Sequence, residues 1–407
     1  MRVYVSFEEA VSLILERAVR LGTERVFLTE ASGRVLACDV IAPFNQPRLP
    51  LSAMDGYAVS VASLSELPAR LRLVGEVPAG SAWSGRLGRG EAVTVYTGSP
   101  VPKGADAVVP FEQAKVEGGF VVVERPFPSG CNVREVGEDF KEGELLLERG
   151  TLLGPAEVGI AAEAGYSQLE VYRRPRVAVF ATGNEVVEPF SPLPSPQAVY
   201  NANAYQLLAY IEEAGGEPHY LGILRDSREE VLGRLKEALA EFDVVVTTGG
   251  VSMGNYDFVK EVVPELGLSV VFYKVQVKPG KPVLFAAGGG RFLFGLPGFP
   301  VSTAVSFNLF LFPFLRALQG AKELFRRKVV AELSAPYSRK RAERTEFARC
   351  LYSFSRERGR YVAVPLKNQS SGALSTLAGN VALMVVPKGV RKLPEGSSVE
   401  LILFKEL

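Results

Sequence analysis

The segment that best combines residues able to bind an anion and a cation lies near residue 250. There a short β-branched run ends in Thr-Thr-Gly-Gly, and a carboxylate follows a few residues later. In an open α/β sheet, ligands bind outside the carboxyl ends of the strands. Glycines let backbone N–H groups approach an oxyanion there, and a carboxylate is suited to hold a cation against it. The residues of this predicted phosphate-and-metal pocket are Thr248, Gly249, Gly250, Ser252 and Asp257.

Three lysines follow in and before the motif Lys-Pro-Gly-Lys-Pro. Lys278 and Lys281 occupy its turn, and Lys274 lies four residues before Lys278, on the same strand face by a period of two. Three ammonium groups in this arrangement repel each other unless an anion lies between them, and a tetrahedral oxyanion is the natural candidate. If this turn were isolated, we would interpret its lysines as solvated surface residues. Because the turn follows a glycine-rich loop, we favour the interpretation that its lysines bind an anion.

Two further predicted strands end in glycine loops. One ends in Thr182, Gly183, Asn184 and Glu185, and the other in Gly-Leu-Pro-Gly, which contains Pro297 and Gly298 and opens a helix. Each loop by itself is only a turn. Because the carboxyl ends of parallel strands meet at one edge of a sheet, three such loops in one domain predict a shared ligand site.

Several other polar residues have an ordinary local explanation. Asp55 precedes a glycine, as in many turns, and Thr97 and Asp139 lie in similar loops. Asp226, or the serine that follows it, is placed to cap a helix. The basic residues between 339 and 344 are typical of a solvated loop, with contact to an anionic substrate as the less favoured interpretation.

The composition excludes several classes of function. The 407 residues carry 46 Lys and Arg against 45 Asp and Glu, so no global charge attracts nucleic acid or an anionic membrane. Three cysteines without a Cys-x-x-Cys pair predict neither a zinc site nor a disulfide framework, which fits a cytoplasmic protein. The single histidine, His219, excludes a His-rich metal site within one chain. Residues 301–318 are apolar but contain serines, Asn308 and Arg316, which favours a buried helix over a membrane span.

The elements that position these residues predict a multidomain α/β plus β protein. Residues 1–172 form an N-terminal region, with helical parts at 1–25 and 148–172 and an inserted β-rich subdomain at about 26–147. Strands alternate with helices over 173–320, which predicts a mainly parallel, three-layer α/β domain. Residues 321–407 return to short strands that suit a small barrel.

Taken together, the motifs resemble the molybdopterin molybdenumtransferase family, which includes MoeA and the gephyrin E domain. The resemblance runs along essentially the whole chain, through seven motifs in the family's order. They are Ser-Ala-Met-Asp-Gly-Tyr-Ala, Tyr-Thr-Gly-Ser-Pro-Val-Pro, Val-Gly-Glu-Asp, Thr-Gly-Asn-Glu, Thr-Thr-Gly-Gly-Val-Ser-Met-Gly, Lys-Pro-Gly-Lys-Pro and Gly-Leu-Pro-Gly-Phe-Pro. Each motif is weak alone, but the ordered series is specific.

The resemblance implies an enzyme that inserts molybdate into adenylylated molybdopterin, with Mg²⁺, and releases AMP. It also implies a homodimer in which the N-terminal domains of one subunit complete the pterin site of the other. Glu185 and Asp257 are the implied metal ligands. The residues carried over from the family's motifs are Asp55, Thr97, Asp139, Glu185, Asp226, Asp257, Lys274, Lys278 and Ser371.

Two positions depart from the family's pattern, because Asn184 and Asn201 stand where a carboxylate is common. Three alternatives to the implied activity also stay open. A molybdopterin adenylyltransferase shares the α/β pterin domain, a relative could prefer tungstate, and the gephyrin E domain also serves as a non-enzymatic scaffold. The clustered acids and lysines argue against scaffolding alone.

Overall fold

The middle of the chain folds around a seven-stranded sheet. A computed structural model describes residues 1–250 and 258–404 of the protein. All strands of this sheet run in one direction except Leu284–Gly288, which is antiparallel to both of its neighbours. The order across the sheet is Arg2–Val5, Ser269–Val275, Leu284–Gly288, Arg291–Leu296, Val244–Thr248, Arg176–Thr182 and Glu217–Leu224. The predicted mainly parallel sheet is confirmed.

Helices cover both faces of this sheet because its strands are apolar on both sides. In the strand Arg176–Thr182, Val177 and Val179 pack into the core on one face, and Ala178 and Phe180 pack into the core on the other. The helices of the first face are Phe7–Leu15, Ala202–Glu213, Pro300–Ser306 and Phe312–Leu318. Those of the second are Arg228–Glu241 and Phe258–Val262. The predicted three-layer arrangement is confirmed.

Among the described residues, one helix is long and apolar enough to cross a membrane by length and composition alone. It spans Pro300–Leu318, and 89% of its most apolar window is buried inside the protein, as expected for a core helix. Its middle, Phe307–Leu311, is π-helical. Pro313 lies two residues after this segment and has no N–H to donate, so a local change in hydrogen bonding accommodates it within the helix.

The first residues of the chain belong to the central sheet. The strand Arg2–Val5 pairs in parallel with Ser269–Val275, and the helix Phe7–Leu15 buries Ala10 and Ile14 against the same core. The sequence placed residues 1–25 with the N-terminal region, whereas the structure places Arg2–Val5 and Phe7–Leu15 with the central sheet. Beyond this helix, the Leu21 N–H donates to the Leu318 carbonyl, 2.8 Å away, at the end of the long core helix.

The N-terminal region is rich in β structure, as predicted. A six-stranded sheet has the order Ala107–Pro110, Gly56–Val59, Glu91–Val95, Ala69–Val77, Phe120–Val123 and Ala114–Glu117. Beside it, the strands Thr23–Phe27 and Gln168–Tyr172 pair antiparallel and pack with the helices Leu28–Ala31 and Pro155–Glu163. Two short strand pairs connect these parts: Val40–Ile41 with Leu145–Leu147, and Leu51–Ser52 with Val133–Arg134.

The C-terminal residues form a closed five-stranded barrel, which confirms the prediction. Its order is Thr345–Ser355, Arg360–Pro365, Lys328–Leu333, Ser398–Leu403 and Val381–Val386, and the last strand pairs again with the first. A short strand from the central domain, Val277–Lys278, adds to the barrel beside Thr345–Ser355. The two domains share one core, in which the Phe7 ring lies 5.9 Å from that of Phe310 and 5.3 Å from that of Phe347.

Candidate active site

The three predicted glycine loops meet at the carboxyl edge of the central sheet. The strands ending at Thr182, Thr248 and Leu296 are neighbours. The Thr182 hydroxyl donates to the Thr248 carbonyl at 3.0 Å, and the Gly249 N–H donates to the Leu296 carbonyl at 2.9 Å. The loops are thus joined to each other by hydrogen bonds as well as by the sheet. The expectation that these strand ends lie together is confirmed.

Two of the loops require glycine for physical reasons. Gly249 has a φ of +91°, and a Cβ there would lie 2.6 Å from the Thr182 Oγ. Gly183 has a φ of +127°, and a Cβ there would lie 2.5 Å from a carboxylate oxygen of Glu185. Any other residue would strain the backbone at both positions, and at Gly249 it would also clash with Thr182. The Glu185 carboxylate therefore lies directly against the first glycine loop. Ser252 and Asp257, predicted to continue the second loop, lie outside the described residues.

The third loop is held from two sides. The Gly298 carbonyl accepts from the Asn203 amide at 2.6 Å, and the Pro297 carbonyl accepts from the Thr303 hydroxyl at 2.6 Å. The Val301 N–H donates to the Ser371 carbonyl at 3.0 Å. This last bond brings the barrel segment that contains Ser371 onto the glycine loop, although the two are far apart in sequence.

Asp226 lies beside the first glycine loop and does not cap the helix that follows it. Ser227 is the N-cap of Arg228–Glu241, and its hydroxyl accepts from a backbone N–H of the first turn. Asp226 and Asn184 instead exchange bonds: the Asn184 N–H donates to the Asp226 carboxylate at 3.4 Å, and the Asp226 N–H donates to the Asn184 side-chain oxygen at 3.2 Å. An aspartate at 184 would place a second negative charge beside Asp226. The amide avoids that repulsion.

The second departure, Asn201, is likewise explained by hydrogen bonds. Its side-chain oxygen accepts from the Ala204 N–H and caps the helix Ala202–Glu213, and its amide nitrogen donates to the Tyr220 hydroxyl at 2.8 Å. A carboxylate would keep the cap and lose the donor. Asn201 is 2% exposed, so it acts here in holding the helix and the neighbouring strand together.

The three lysines do not share one strand face. Lys274 has a φ of +68°, which breaks the regular alternation, and its ammonium lies 4.6 Å from the Tyr273 ring centroid. Lys278 belongs to the short strand paired with the barrel, and the Lys281 ammonium lies 5.6 Å from the Tyr4 ring centroid. The chain passes from the central sheet to the barrel between Val275 and Val277. The alternation of side chains along one strand therefore does not extend from Lys274 to Lys278.

The partner of Lys278 was missed in the sequence. Its ammonium lies 2.7 Å from the carboxylate of Glu346, whose side chain is only 2% exposed. The other carboxylate oxygen of Glu346 lies 3.3 Å from the guanidinium of Arg339, also 2% exposed. These residues are far apart in the chain, and the available signal was a glutamate at the start of an apolar barrel strand. Arg349, in the same strand, is 1% exposed, and burial lowers the pKa of its guanidinium.

Arg349 and Gln369 fix the barrel segment that contains Ser371. Gln369 accepts from the Arg349 N–H at 2.9 Å and donates to its carbonyl at 2.8 Å, and the Arg349 guanidinium donates to the Asn368 carbonyl at 3.0 Å. Sequence reasoning passed over both residues. An arginine between apolar neighbours in a predicted barrel strand was the signal that could have found the first of them.

In the N-terminal region, the structure joins two of the three predicted residues. The Asp55 carboxylate accepts from the Thr97 N–H at 2.7 Å and from its hydroxyl at 2.9 Å, and these bonds lower the pKa of Asp55. Asp139 lies elsewhere, and its N–H donates to the Gln46 carbonyl at 3.0 Å. Within residues 1–250 and 258–404, no hydrogen bond or ion pair connects any of these three side chains to the glycine loops of the same protomer.

The fold and this site define an α/β protein in which three glycine loops lie together at the carboxyl edge of the central sheet, beside Glu185 and Asp226. Three sequence profiles match in order: the MoeA N-terminal region (domain I and II) over residues 5–165, a probable molybdopterin binding domain over 178–317, and the MoeA C-terminal region (domain IV) over 331–404. Together they span nearly the whole chain.

Relatives and solved structures agree with these profiles. Molybdopterin molybdenumtransferase of Bacillus subtilis is 33% identical over 415 aligned residues, covering 100% of this chain and 95% of that protein. The Haemophilus influenzae protein of the same name is 32% identical, and the alignment covers 99% of this chain and 99% of that protein. The molybdopterin biosynthesis MoeA protein of Pyrococcus horikoshii superposes with a TM-score of 0.85 at 32% identity, covering 98% of this chain and 100% of that one. The chain belongs to the molybdopterin molybdenumtransferase family.

Proposed function

We propose that this protein inserts molybdate into adenylylated molybdopterin, forming molybdenum cofactor and releasing AMP. The observation that carries the proposal is the meeting of three glycine loops with the barrel segment at Ser371, which the Val301–Ser371 hydrogen bond secures. Glycine loops at the carboxyl edge of such a sheet suit a phosphate-bearing ligand. The full-length relatives named molybdopterin molybdenumtransferase favour this transferase role over adenylylation of the pterin.

The residues beside the first loop are compatible with Mg²⁺. Within the part of the chain that the structure describes, no group of three or more His, Cys, Asp or Glu side chains is arranged to hold a metal. Mg²⁺ does not need such a cage, because it is usually held by one or two carboxylates, waters and substrate phosphates. Glu185 lies against Gly183, and Asp226 contacts Asn184, so carboxylate oxygens are present where a phosphate would bind. Asp257 is the second ligand that we predicted.

When bound, Mg²⁺ would neutralise the charge that develops on the phosphate oxygens as the anhydride is cleaved. The protein's own residues have separate tasks in the proposal. The glycine loops bind and orient the phosphoanhydride, and Lys274, Lys278 and Lys281 attract molybdate, a tetrahedral dianion. When both reactants are bound in one site in the correct orientation, a bimolecular encounter in solution becomes an effectively unimolecular step.

We further propose that the site is completed across a homodimer. Asp55 and Thr97 form a preorganised, exposed pair, yet they make no hydrogen bond to the glycine loops of their own protomer within the described residues. A partner subunit would supply this pair, together with Asp139, to the opposite site. The family and the cysteine usage support placing the protein in the cytoplasm.

The test is a defined reconstitution. Purified protein is incubated with adenylylated molybdopterin, molybdate and Mg²⁺, AMP is measured by chromatography, and cofactor is measured by activation of an apo-molybdoenzyme. We expect both products, and we expect Mg²⁺ removal by chelation to abolish AMP release. Pyrophosphate formed from ATP and free molybdopterin would instead identify an adenylyltransferase. Faster turnover with tungstate than with molybdate at equal concentration would identify a tungstate enzyme. If neither AMP nor cofactor is formed, the non-enzymatic scaffold role is the remaining alternative.

A further inference from the structure

A large cavity opens on the barrel next to Lys278. Its volume is about 540 Å³, and it is lined by Lys278, residues 336–341, Arg344, residues 365–367 and Gln369. We call it the barrel cavity. It lies beside the site already described, because Lys278 is common to both and Gln369 holds the segment that contains Ser371.

The barrel cavity concentrates positive charge in a chain whose net charge is only +1. Six cationic side chains line it: Lys278, Arg339, Lys340, Arg341, Arg344 and Lys367. Glu346 is the one carboxylate in contact with any of them among the described residues, and it neutralises a single charge. With Glu346 counted, this lining carries a net charge of +5, an arrangement that an anionic ligand would stabilise.

Of the six cations, two form a fixed frame, three are available to a ligand, and Lys278 pairs with Glu346. The Arg339 guanidinium donates to the Val390 carbonyl at 2.7 Å as well as contacting Glu346, and Arg344 donates to the Val277 carbonyl at 3.0 Å. These two arginines stabilise the conformation of the loop that contains residues 339–344. Lys340, Arg341 and Lys367 are exposed and make no hydrogen bond or ion pair to other described residues.

The size and lining of the barrel cavity indicate more than a simple inorganic ion. Ligand pockets for organic molecules usually span about 300–1,000 Å³, and the volume here falls within that range. Its wall also contains Pro336, Pro365 and Leu366, which offer apolar surface beside the charges. A phosphate group attached to a planar organic group would use both parts of the wall.

We propose that the barrel cavity binds the phosphate group of a nucleotide-sized phosphate ester through Lys340, Arg341 and Lys367. The inference rests on the proposed function, in which both the adenylylated substrate and the AMP product carry such a group. Of the two phosphates of the anhydride, it assigns the adenylyl phosphate to the barrel and leaves the pterin phosphate to the glycine loops of the central sheet. Lys278 connects the two, since it lines the barrel cavity and belongs to the predicted molybdate site.

The test measures binding to the full-length protein by calorimetry, with AMP and molybdate as separate probes. The variants are Lys340→Ala, Arg341→Ala, Lys367→Ala and the combination of all three. Removing one exposed ion pair weakens binding by about threefold, so we expect the triple variant to bind AMP at least about tenfold more weakly. We expect its affinity for molybdate to change by less than about twofold, and added salt to weaken AMP binding less in this variant than in the wild type.

Matched controls separate this effect from general charge removal. Arg356→Ala removes an exposed arginine from the barrel outside the cavity, and Lys236→Ala removes an exposed lysine from the helix Arg228–Glu241. Both controls should bind AMP as the wild type does. Because the substituted side chains are exposed, all variants should keep the wild-type circular dichroism spectrum.

Kinetics identify which molecule supplies the phosphate. A higher KM for adenylylated molybdopterin in the triple variant assigns the subsite to the substrate, whereas weaker product inhibition by AMP at unchanged KM assigns it to the product. Unchanged AMP affinity in the triple variant, or loss of molybdate binding in place of AMP binding, overturns the inference even if AMP release stays normal. Wild-type protein that binds AMP through these cations but releases none from the adenylylated pterin would overturn the proposed function alone.

Discussion

The ion pair between Arg339 and Glu346 should control the stability of the barrel beside the site. Glu346→Gln keeps the size of the side chain and removes its charge, which leaves the Arg339 guanidinium buried without a counter-ion. Breaking a buried pair in this way costs about 3–5 kcal/mol. Arg339 keeps acceptors at the Val390 and Pro387 carbonyls, so we expect the lower end, about 3 kcal/mol. The Lys278 side chain is 44% exposed, and water compensates for most of its loss.

Hydrogen exchange read by mass spectrometry is the appropriate assay, because a multidomain protein has no single unfolding free energy. A local loss of about 3 kcal/mol corresponds to exchange about 100-fold faster, since each 1.4 kcal/mol is about a factor of ten. We expect that increase in peptides covering Thr345–Ser355 and none in peptides covering Ala69–Val77, in the N-terminal sheet.

Glu332→Gln is the matched control in the same barrel. Glu332 also lies between two arginines, at 2.8 Å from Arg358 and 2.9 Å from Arg360, but its side chain is 24% exposed and those of both partners are more than half exposed. Exposed pairs contribute about 0–1 kcal/mol, so exchange should rise by less than about fivefold. Equal effects of Glu346→Gln and Glu332→Gln would refute the argument that burial sets the magnitude.

Three further outcomes follow from the site. Thr97→Val removes one of the two donors that lower the pKa of Asp55. Because the carboxylate then protonates at higher pH, the acidic limb of the pH profile of AMP release should move to higher pH. An unmoved acidic limb would exclude a role for this pair. Gly249→Ala strains a backbone at φ +91° and should locally destabilise the central sheet by about 1–3 kcal/mol, with loss of AMP release. Gly233→Ala, in an open position on a helix, should stabilise that helix by about 0.5–1 kcal/mol, and both changes are read by hydrogen exchange. Lys278→Gln should raise the molybdate concentration for half-maximal AMP release by about tenfold at an unchanged Mg²⁺ requirement, and an unchanged molybdate requirement would contradict its assignment.

The central sheet could be predicted from the sequence because its signals are local. Runs such as Val244–Thr248 are apolar on both faces, as parallel strands between two helix layers must be. The edge strand Arg2–Val5 gave no comparable signal, since only Val5 in it is buried. Its place is decided by the strand Ser269–Val275, more than 260 residues later, and no short pattern carries that information.

The same distinction between local and distant signals applies to the site. The glycine loops were found because strand, turn and helix follow each other directly in the chain. The contacts of Lys278 with Glu346 and of Asp55 with Thr97 join residues that no common period relates. The local sequence around Asp55 predicted only a turn. Asp55 was predicted as a site residue because of the family resemblance. The structure shows that Asp55 contacts Thr97, while the predicted roles of Asp55, Asp139 and Asp257 stay predictions.

The strand Arg2–Val5 sets a practical limit on dissecting this protein. A fragment cut at residue 173 to isolate the α/β domain would lack both this strand and the helix Phe7–Leu15. The hydrogen-bonding groups of Ser269–Val275 would then form a bare sheet edge, which readily pairs with other chains and aggregates. A soluble excised domain therefore needs the first 22 residues grafted back or supplied as a separate peptide.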